Sequence, residues 1–252
     1  MSDSEEEITL SASTLAALQE FRSEQETRQE AFNKLYSAAE TKFDAATAAK
    51  KSIADFQEDW NLSQFWYSDD TQAVLARELL EDIAASDDEE FPLRVAIISA
   101  PSVYSMALKL FGTNPRYERL FRDNFYLLEF DARFEHLAAT PDRFVHYDFN
   151  KPVAVPPTLK GTFDRVLVDP PFLSEECQSK AAITARYLLR PGQDSRVIVC
   201  TGERMKDTIK RVYPMTRMTT FRPEHGNGLS NEFRCYASYT SNLDNWTYED
   251  EN

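Results

Sequence analysis

From Arg94 onward the chain alternates short apolar runs with helical ones, and this alternation narrows the fold more than any other feature. "RVAIISA" (94–100), "FYLLEF" (125–130), "RFVHYDF" (143–149), "DRVLVD" (164–169) and "RVIVC" (196–200) read as strands. Their hydrophobicity is nearly continuous, so both faces of each strand should be buried, as parallel strands require. "SVYSMALKLFG", "DARFEHLA" and "SEECQSKAAITARYLL" lie between them, with helical spacing and polar starts. Strand, helix, strand in repetition predicts a doubly wound α/β sheet with right-handed crossovers. "MTRMTTF" and "NEFRCYASY" follow with a loop and no helix between them, which predicts a closing antiparallel pair.

The upstream region is different in kind. After an acidic start, the sequence from Ser11 to about residue 56 is rich in Ala, Glu, Gln and Lys, without Gly or Pro, and reads as a helical extension. In "DWNLSQFWYSDD", three aromatics, Phe65, Trp66 and Tyr67, precede Ser68, which is placed to cap a helix over "TQAVLARELLEDIAA" with Asp69 and Asp70 in its first turn. The expected organisation is an acidic start and helical extension at 1–58, one α/β domain at 59–240, and an acidic tail at 241–252.

Charge and composition exclude several classes. The net charge of −14, from 28 basic and 42 acidic residues, argues against a nucleic-acid partner, because phosphate neutralisation needs a basic surface. No apolar run reaches the length of a membrane span, so no membrane is expected and the cytoplasm is the default location. The three cysteines, Cys177, Cys200 and Cys235, are far apart and lack CxxC spacing. The three histidines do not pair at ligand spacing, so no metal site is expected.

The chemistry points to one tetrapeptide. Asp169-Pro170-Pro171-Phe172 ends the fourth apolar run, where a simple turn would need only Gly or Asn. In open α/β sheets, ligands bind beyond the carboxyl ends of the strands, where strand order reverses. If the first and fourth strands are neighbours, Asp169 lies beside the residues after Ala100. Two prolines leave that backbone few alternatives and present a carboxylate and a ring in fixed positions.

"DPPF" after a fourth strand resembles the catalytic motif of amino-group methyltransferases. Together with "SQFWYS", "SAPSVY", "DPPFLSEEC" and "NEFRCY", the chain resembles the eukaryotic lysine methyltransferases of translation elongation factor 1-alpha, formerly described as adenine-specific DNA methyltransferases. The resemblance covers residues 11–18 and 59–239; the stretch from about 28 to 53 departs from shorter members and reads as an insertion. It implies a seven-stranded Rossmann-like class I methyltransferase fold with an N-terminal helical extension, S-adenosyl-L-methionine as cofactor, elongation factor 1-alpha as protein substrate, and a monomer.

The same resemblance implies roles. Asp169 and the Pro170 carbonyl would hold the target amine, Phe172 would pack against the substrate, and Pro171, Phe65, Trp66 and Tyr67 would line the substrate side. A cation near an aromatic face gains about 0.5–2 kcal/mol, which suits such a site. Ala100, Ser102, Glu129, Asp148 and Asp169 would contact the donor. Glu129 or Asp131 would accept ribose hydroxyls, and Asp148 the adenine amino group. The plainer readings are a helix cap for Asp131 and a solvated loop acid for Asp148. The first loop, "ISAPSVYSM", lacks the glycines usual in methyltransferases; Ala100 and Ser102 are small enough to replace them, and Ser102 could also cap the next helix. Asn231, Glu232 and His225 precede or flank the last strand in a loop near the substrate side, with a solvated loop as the simpler reading.

Two other functions stay open at this level: an adenine N6-methyltransferase on DNA or RNA, whose flipped base would use the same motif, and a non-enzymatic binding module whose altered first loop holds no donor. A lysine target also poses a difficulty. Reaching the neutral amine at pH 7 from a pKa of ~10.4 costs roughly 4.6 kcal/mol, and a neighbouring carboxylate raises that cost.

Overall fold

A computed structural model of the chain describes residues 66–80, 93–192, 195–226 and 232–250. The chain divides into two compact units, Met1–Ala49 and Lys50–Asn252, and every described residue belongs to the second. The predicted N-terminal helices and Phe65 lie outside the described residues.

Within the second unit the elements run α1 (Asp69–Leu80), β1 (Val95–Ile98), α2 (Pro101–Phe111), β2 (Phe125–Glu129), β3 (Phe144–His146), β4 (Arg165–Val168), α3 (Glu175–Leu188), β5 (Arg196–Gly202), α4 (Lys206–Val212), β6 (Arg217–Met218) and β7 (Phe233–Ala237). The seven strands form one sheet in the order β3-β2-β1-β4-β5-β7-β6. β1 pairs in parallel with both β2 and β4, while β7 is antiparallel to β5 and β6. This is the expected class I methyltransferase topology, with strand order reversing between β1 and β4.

Side chains alternate along each strand and bury on both faces. Val95, Ile97, Phe125, Leu127, Leu167, Cys200 and Ala237 pack with Leu75 and Ala76 of α1 and Val103 and Tyr104 of α2. Ala96, Ile98, Leu128, Val166, Val168, Val199 and Tyr236 pack with Ala181, Ala185 and Leu188 of α3 and Ile209 of α4. Each fully buried Val, Leu, Ile or Phe among them contributes about 1.5–3 kcal/mol by leaving water. Two cores of this kind hold the strand ends in register, which is what a site at those ends requires.

Several sequence expectations meet local differences. Ser68 does cap α1, its Oγ accepting from the Thr71 N–H at 3.2 Å. "DARFEHLA" forms a 3-10 segment, Ala132–Leu137, capped by Asp131. Ser102 does not cap α2: Ala100 occupies the N-cap, Pro101 follows, and no side chain closes the first turn. Within 241–250, Trp246 is only 2% exposed and belongs to the core, and Tyr248 is bridged to Thr219. Among the described residues, no helix is long and apolar enough to cross a membrane.

Candidate active site

The carboxyl ends of β1, β2, β3 and β4 converge on one cavity of about 480 Å³, a size suited to a small-molecule ligand. Ala100, Ser102, Glu129, Asp148, Asp169, Pro170, Pro171, Phe172 and Trp66 all line it. Residues from distant parts of the sequence thus meet in one wall because they end adjacent strands.

Asp169 is the first residue past β4, and its N–H donates to the Ile98 carbonyl at 3.0 Å. The bond extends the β1–β4 ladder by one step and sets the carboxyl beside the first loop. That loop turns without glycine because Ser99 itself adopts the left-handed conformation, φ +58°, while its N–H donates to the Leu128 carbonyl at 2.9 Å. A left-handed backbone costs an L-residue roughly 1–2 kcal/mol. The loop opens onto the start of α2, whose first-turn N–H groups, including those of Ser102 and Val103, lack intrahelical acceptors. These dipoles favour an anionic ligand group.

Glu129, the last residue of β2, is buried and fixed through Oε1, which accepts from the N–H groups of Phe130 at 2.8 Å and Asp131 at 3.2 Å. Burial outweighs those bonds and pushes its pKa up to about 7. Asp131 turns away to cap its own helix and pair with Arg133 at 2.5 Å. Asp148 also serves its loop, its Oδ1 accepting from the Asn150 N–H at 2.9 Å, yet it remains on the cavity wall.

The DPPF segment is held from behind. The Gln178 side-chain amide, fully buried, donates to the Phe172 carbonyl and to the Thr201 Oγ1, each at 3.1 Å. Leu173 lies against Gly202, where an added Cβ would come within 2.9 Å of its Cδ1. Phe172 is 40% exposed and meets the Phe149 ring edge-on at 5.6 Å between centroids. Burial pushes the Asp169 carboxyl up to about 8; the Tyr67 hydroxyl pulls it down, and the Glu129 charge adds to the rise.

The aromatic cluster divides. Trp66 reaches the cavity, whereas Tyr67, expected on the substrate side, is 2% exposed and does not line it. Phe65 lies outside the described residues. His225 and Phe233 line the cavity, their rings 4.4 Å apart. Phe130, Phe149 and Arg204 line it too and had not been singled out in the sequence. Each follows a strand end, Phe130 one residue after β2, Phe149 three after β3 and Arg204 two after β5, so the rule that pointed to Asp169 would have found them. Phe130, 51% exposed, has the surface left for a ligand.

The described residues fit the donor implied by the sequence: a buried acid for the ribose, a helix N-terminus for the carboxylate, and exposed rings for the adenine. A family model described as "Probable N6-adenine methyltransferase" matches residues 58–241. Protein-lysine N-methyltransferase EFM5 of Saccharomyces cerevisiae is 49% identical over 240 residues, covering 92% of each chain. EEF1A lysine methyltransferase 1 of Homo sapiens is 37% identical over 249 residues, covering 97% of this chain and 99% of that one. Protein-lysine N-methyltransferase M142.8 of Caenorhabditis elegans is 38% identical over 241 residues, covering 95% and 97%.

Proposed function

This chain belongs to the methyltransferase family described as "Probable N6-adenine methyltransferase", and we propose that it is an S-adenosyl-L-methionine-dependent protein-lysine N-methyltransferase acting on translation elongation factor 1-alpha. The substrate reading draws on the relatives that carry EEF1A or protein-lysine in their names. The observation that carries the chemistry is the place of Asp169, a partly buried carboxyl at the β1–β4 reversal on the wall of a cavity that also holds Glu129, where desolvation pushes its pKa up to about 8.

When bound, S-adenosyl-L-methionine supplies an electrophilic methyl group on a sulfonium. Glu129 would hold the ribose hydroxyls, the start of α2 would take the carboxylate, and Phe130, Asp148 and Phe149 would line the adenine side. Asp169 and the Pro170 carbonyl hold the lysine Nζ, with Trp66 and Phe172 beside its alkyl stem. Moving a proton from an ordinary ammonium to the ionised fraction of a carboxyl at about 8, roughly a tenth of it at pH 7, costs about 3 kcal/mol, against about 9 kcal/mol for a carboxyl at its usual ~3.9. Raising the Asp169 pKa therefore turns an ammonium trap into a workable proton acceptor. The neutral amine keeps its hydrogen bond to Asp169 and points its lone pair into the cavity.

We assign the reaction to the cytoplasm and to the monomer, with no nucleic-acid substrate. Incubation with methyl-labelled donor and, separately, elongation factor 1-alpha, DNA and RNA tests the assignment. Label should enter the elongation factor alone; label in adenine, with none in the protein, would overturn it.

A further inference from the structure

We propose that Arg204 determines which lysine is accepted: its guanidinium, anchored on the cavity wall beside the DPPF segment, pairs with an acidic side chain next to the target lysine of the protein substrate. The proposal deepens the lysine methyltransferase reading and rests on it.

Arg204 lies in the 3-10 turn Glu203–Met205 that follows β5, and it lines the cavity. Two ties fix that turn. Glu203 N–H donates to the Glu232 carbonyl at 2.8 Å, and the Glu203 carboxylate pairs with the buried Arg234 of β7 at 2.9 Å. Glu232 faces the same Arg234 at 3.7 Å. The acids at the β5–β7 junction thus serve Arg234 and leave the charge of Arg204 uncompensated.

The Arg204 Nη2 donates to the Leu173 carbonyl at 2.9 Å. Leu173 follows Phe172 directly and packs against Gly202, so this bond holds the guanidinium against the residue after the motif. The side chain is otherwise exposed, and among the described residues no carboxylate pairs with it. A guanidinium carries five N–H donors in a planar fork, which leaves an edge open to a carboxylate.

Sheet order separates Arg204 from the donor. Glu129 and Asp169 end β2 and β4, while Arg204 stands past β5, with β4 between it and the first loop. His225 and Phe233 line the same flank from the β7 side. Arg204 is also the one Lys or Arg among the described lining residues. On a chain of net charge −14, a basic partner surface is attracted as a whole. A fixed cation on the wall selects within that surface: it favours a lysine with an acid beside it and opposes one flanked by basic residues.

Steady-state methylation of elongation factor 1-alpha by wild type, Arg204→Ala, Arg204→Lys and Arg204→Glu tests this, beside calorimetric donor binding. Arg204→Ala should raise KM for the elongation factor about threefold to tenfold, and Arg204→Glu further, because a like charge then faces the acid. A contact made equally before and during transfer adds to KM and not to kcat. Arg204→Lys should recover part of the loss, as a point charge without the fork. The methylated lysine is then mapped by mass spectrometry and each acidic neighbour in the substrate replaced in turn by arginine. One of these substrates should be methylated better by Arg204→Glu than by wild type. An unchanged KM, a loss confined to kcat, weakened donor binding, or no reciprocal substrate would overturn the proposal while leaving the lysine methyltransferase reading intact. A wild type that transfers nothing to the elongation factor would overturn that reading, and the proposal with it.

Discussion

Asp169 is tied to Ile98 by a backbone hydrogen bond of 3.0 Å across the β1–β4 ladder, so the carboxyl's position is set by the sheet and not by a loop. Desolvation at that fixed place on the cavity wall pushes its pKa up to about 8, with consequences for stability as well as chemistry.

In the unfolded chain Asp169 titrates near ~3.9, in the native protein near 8, so between these values the native state holds a proton that the unfolded state has released. Its contribution to stability is complete below about pH 4 and is lost as pH rises toward 8. Asp169→Asn should therefore unfold at a temperature close to wild type below about pH 4 and increasingly above it as pH rises to 8, at ~2–4 °C per kcal/mol. Thermal unfolding across that range checks it; an advantage that shrinks as pH rises would contradict the raised pKa.

Glu129→Gln preserves an acceptor for the Phe130 and Asp131 N–H groups but removes the charge facing the ribose. Hydrogen bonds to a charged group contribute about 1.5–3 kcal/mol, so donor affinity should weaken about tenfold or more. In the wild type, donor binding should tighten as pH rises through about 7, where Glu129 ionises. Calorimetry at several pH values reads both effects.

Ser99 occupies a left-handed conformation that glycine adopts without cost. Ser99→Gly should stabilise the protein by about 0.5–1 kcal/mol, a rise of ~1–4 °C in Tm. Ser99→Val, β-branched, should lower it. Equal melting temperatures for all three would mean the loop carries no backbone strain.

Gln178 holds the DPPF segment through the Phe172 carbonyl. Gln178→Leu leaves that carbonyl and Thr201 without their donor, at about 1–3 kcal/mol, and should lower kcat while donor affinity stays unchanged. Steady-state kinetics beside calorimetry separates the two.

Much of the sheet was legible because β1, β2, β4 and β5 are nearly all apolar and long enough to mark their own ends; Asp169 and Glu129 followed from those ends. β3 is three residues and β6 two, so sequence periodicity overstated both. Tyr67 misled because three adjacent aromatics carry no signal of which one faces inward; the bridge to His225, 158 positions away in the chain, decides it. Trp246 was not legible among its acidic neighbours: its ring packs on Phe221 and Tyr239, and the adjacent Asn245 amide donates to the buried Glu78 at 2.8 Å, contacts made with distant parts of the chain.

The central claim is that Asp169 receives the proton and orients the amine after the donor is already held by other residues. Single-turnover methylation of purified elongation factor 1-alpha by wild type and Asp169→Asn, read by intact mass beside calorimetric donor binding, tests it most directly. The account predicts added methyl mass with the wild type, loss of most transfer with Asp169→Asn, and equal donor binding by both. Undiminished transfer by Asp169→Asn would contradict it.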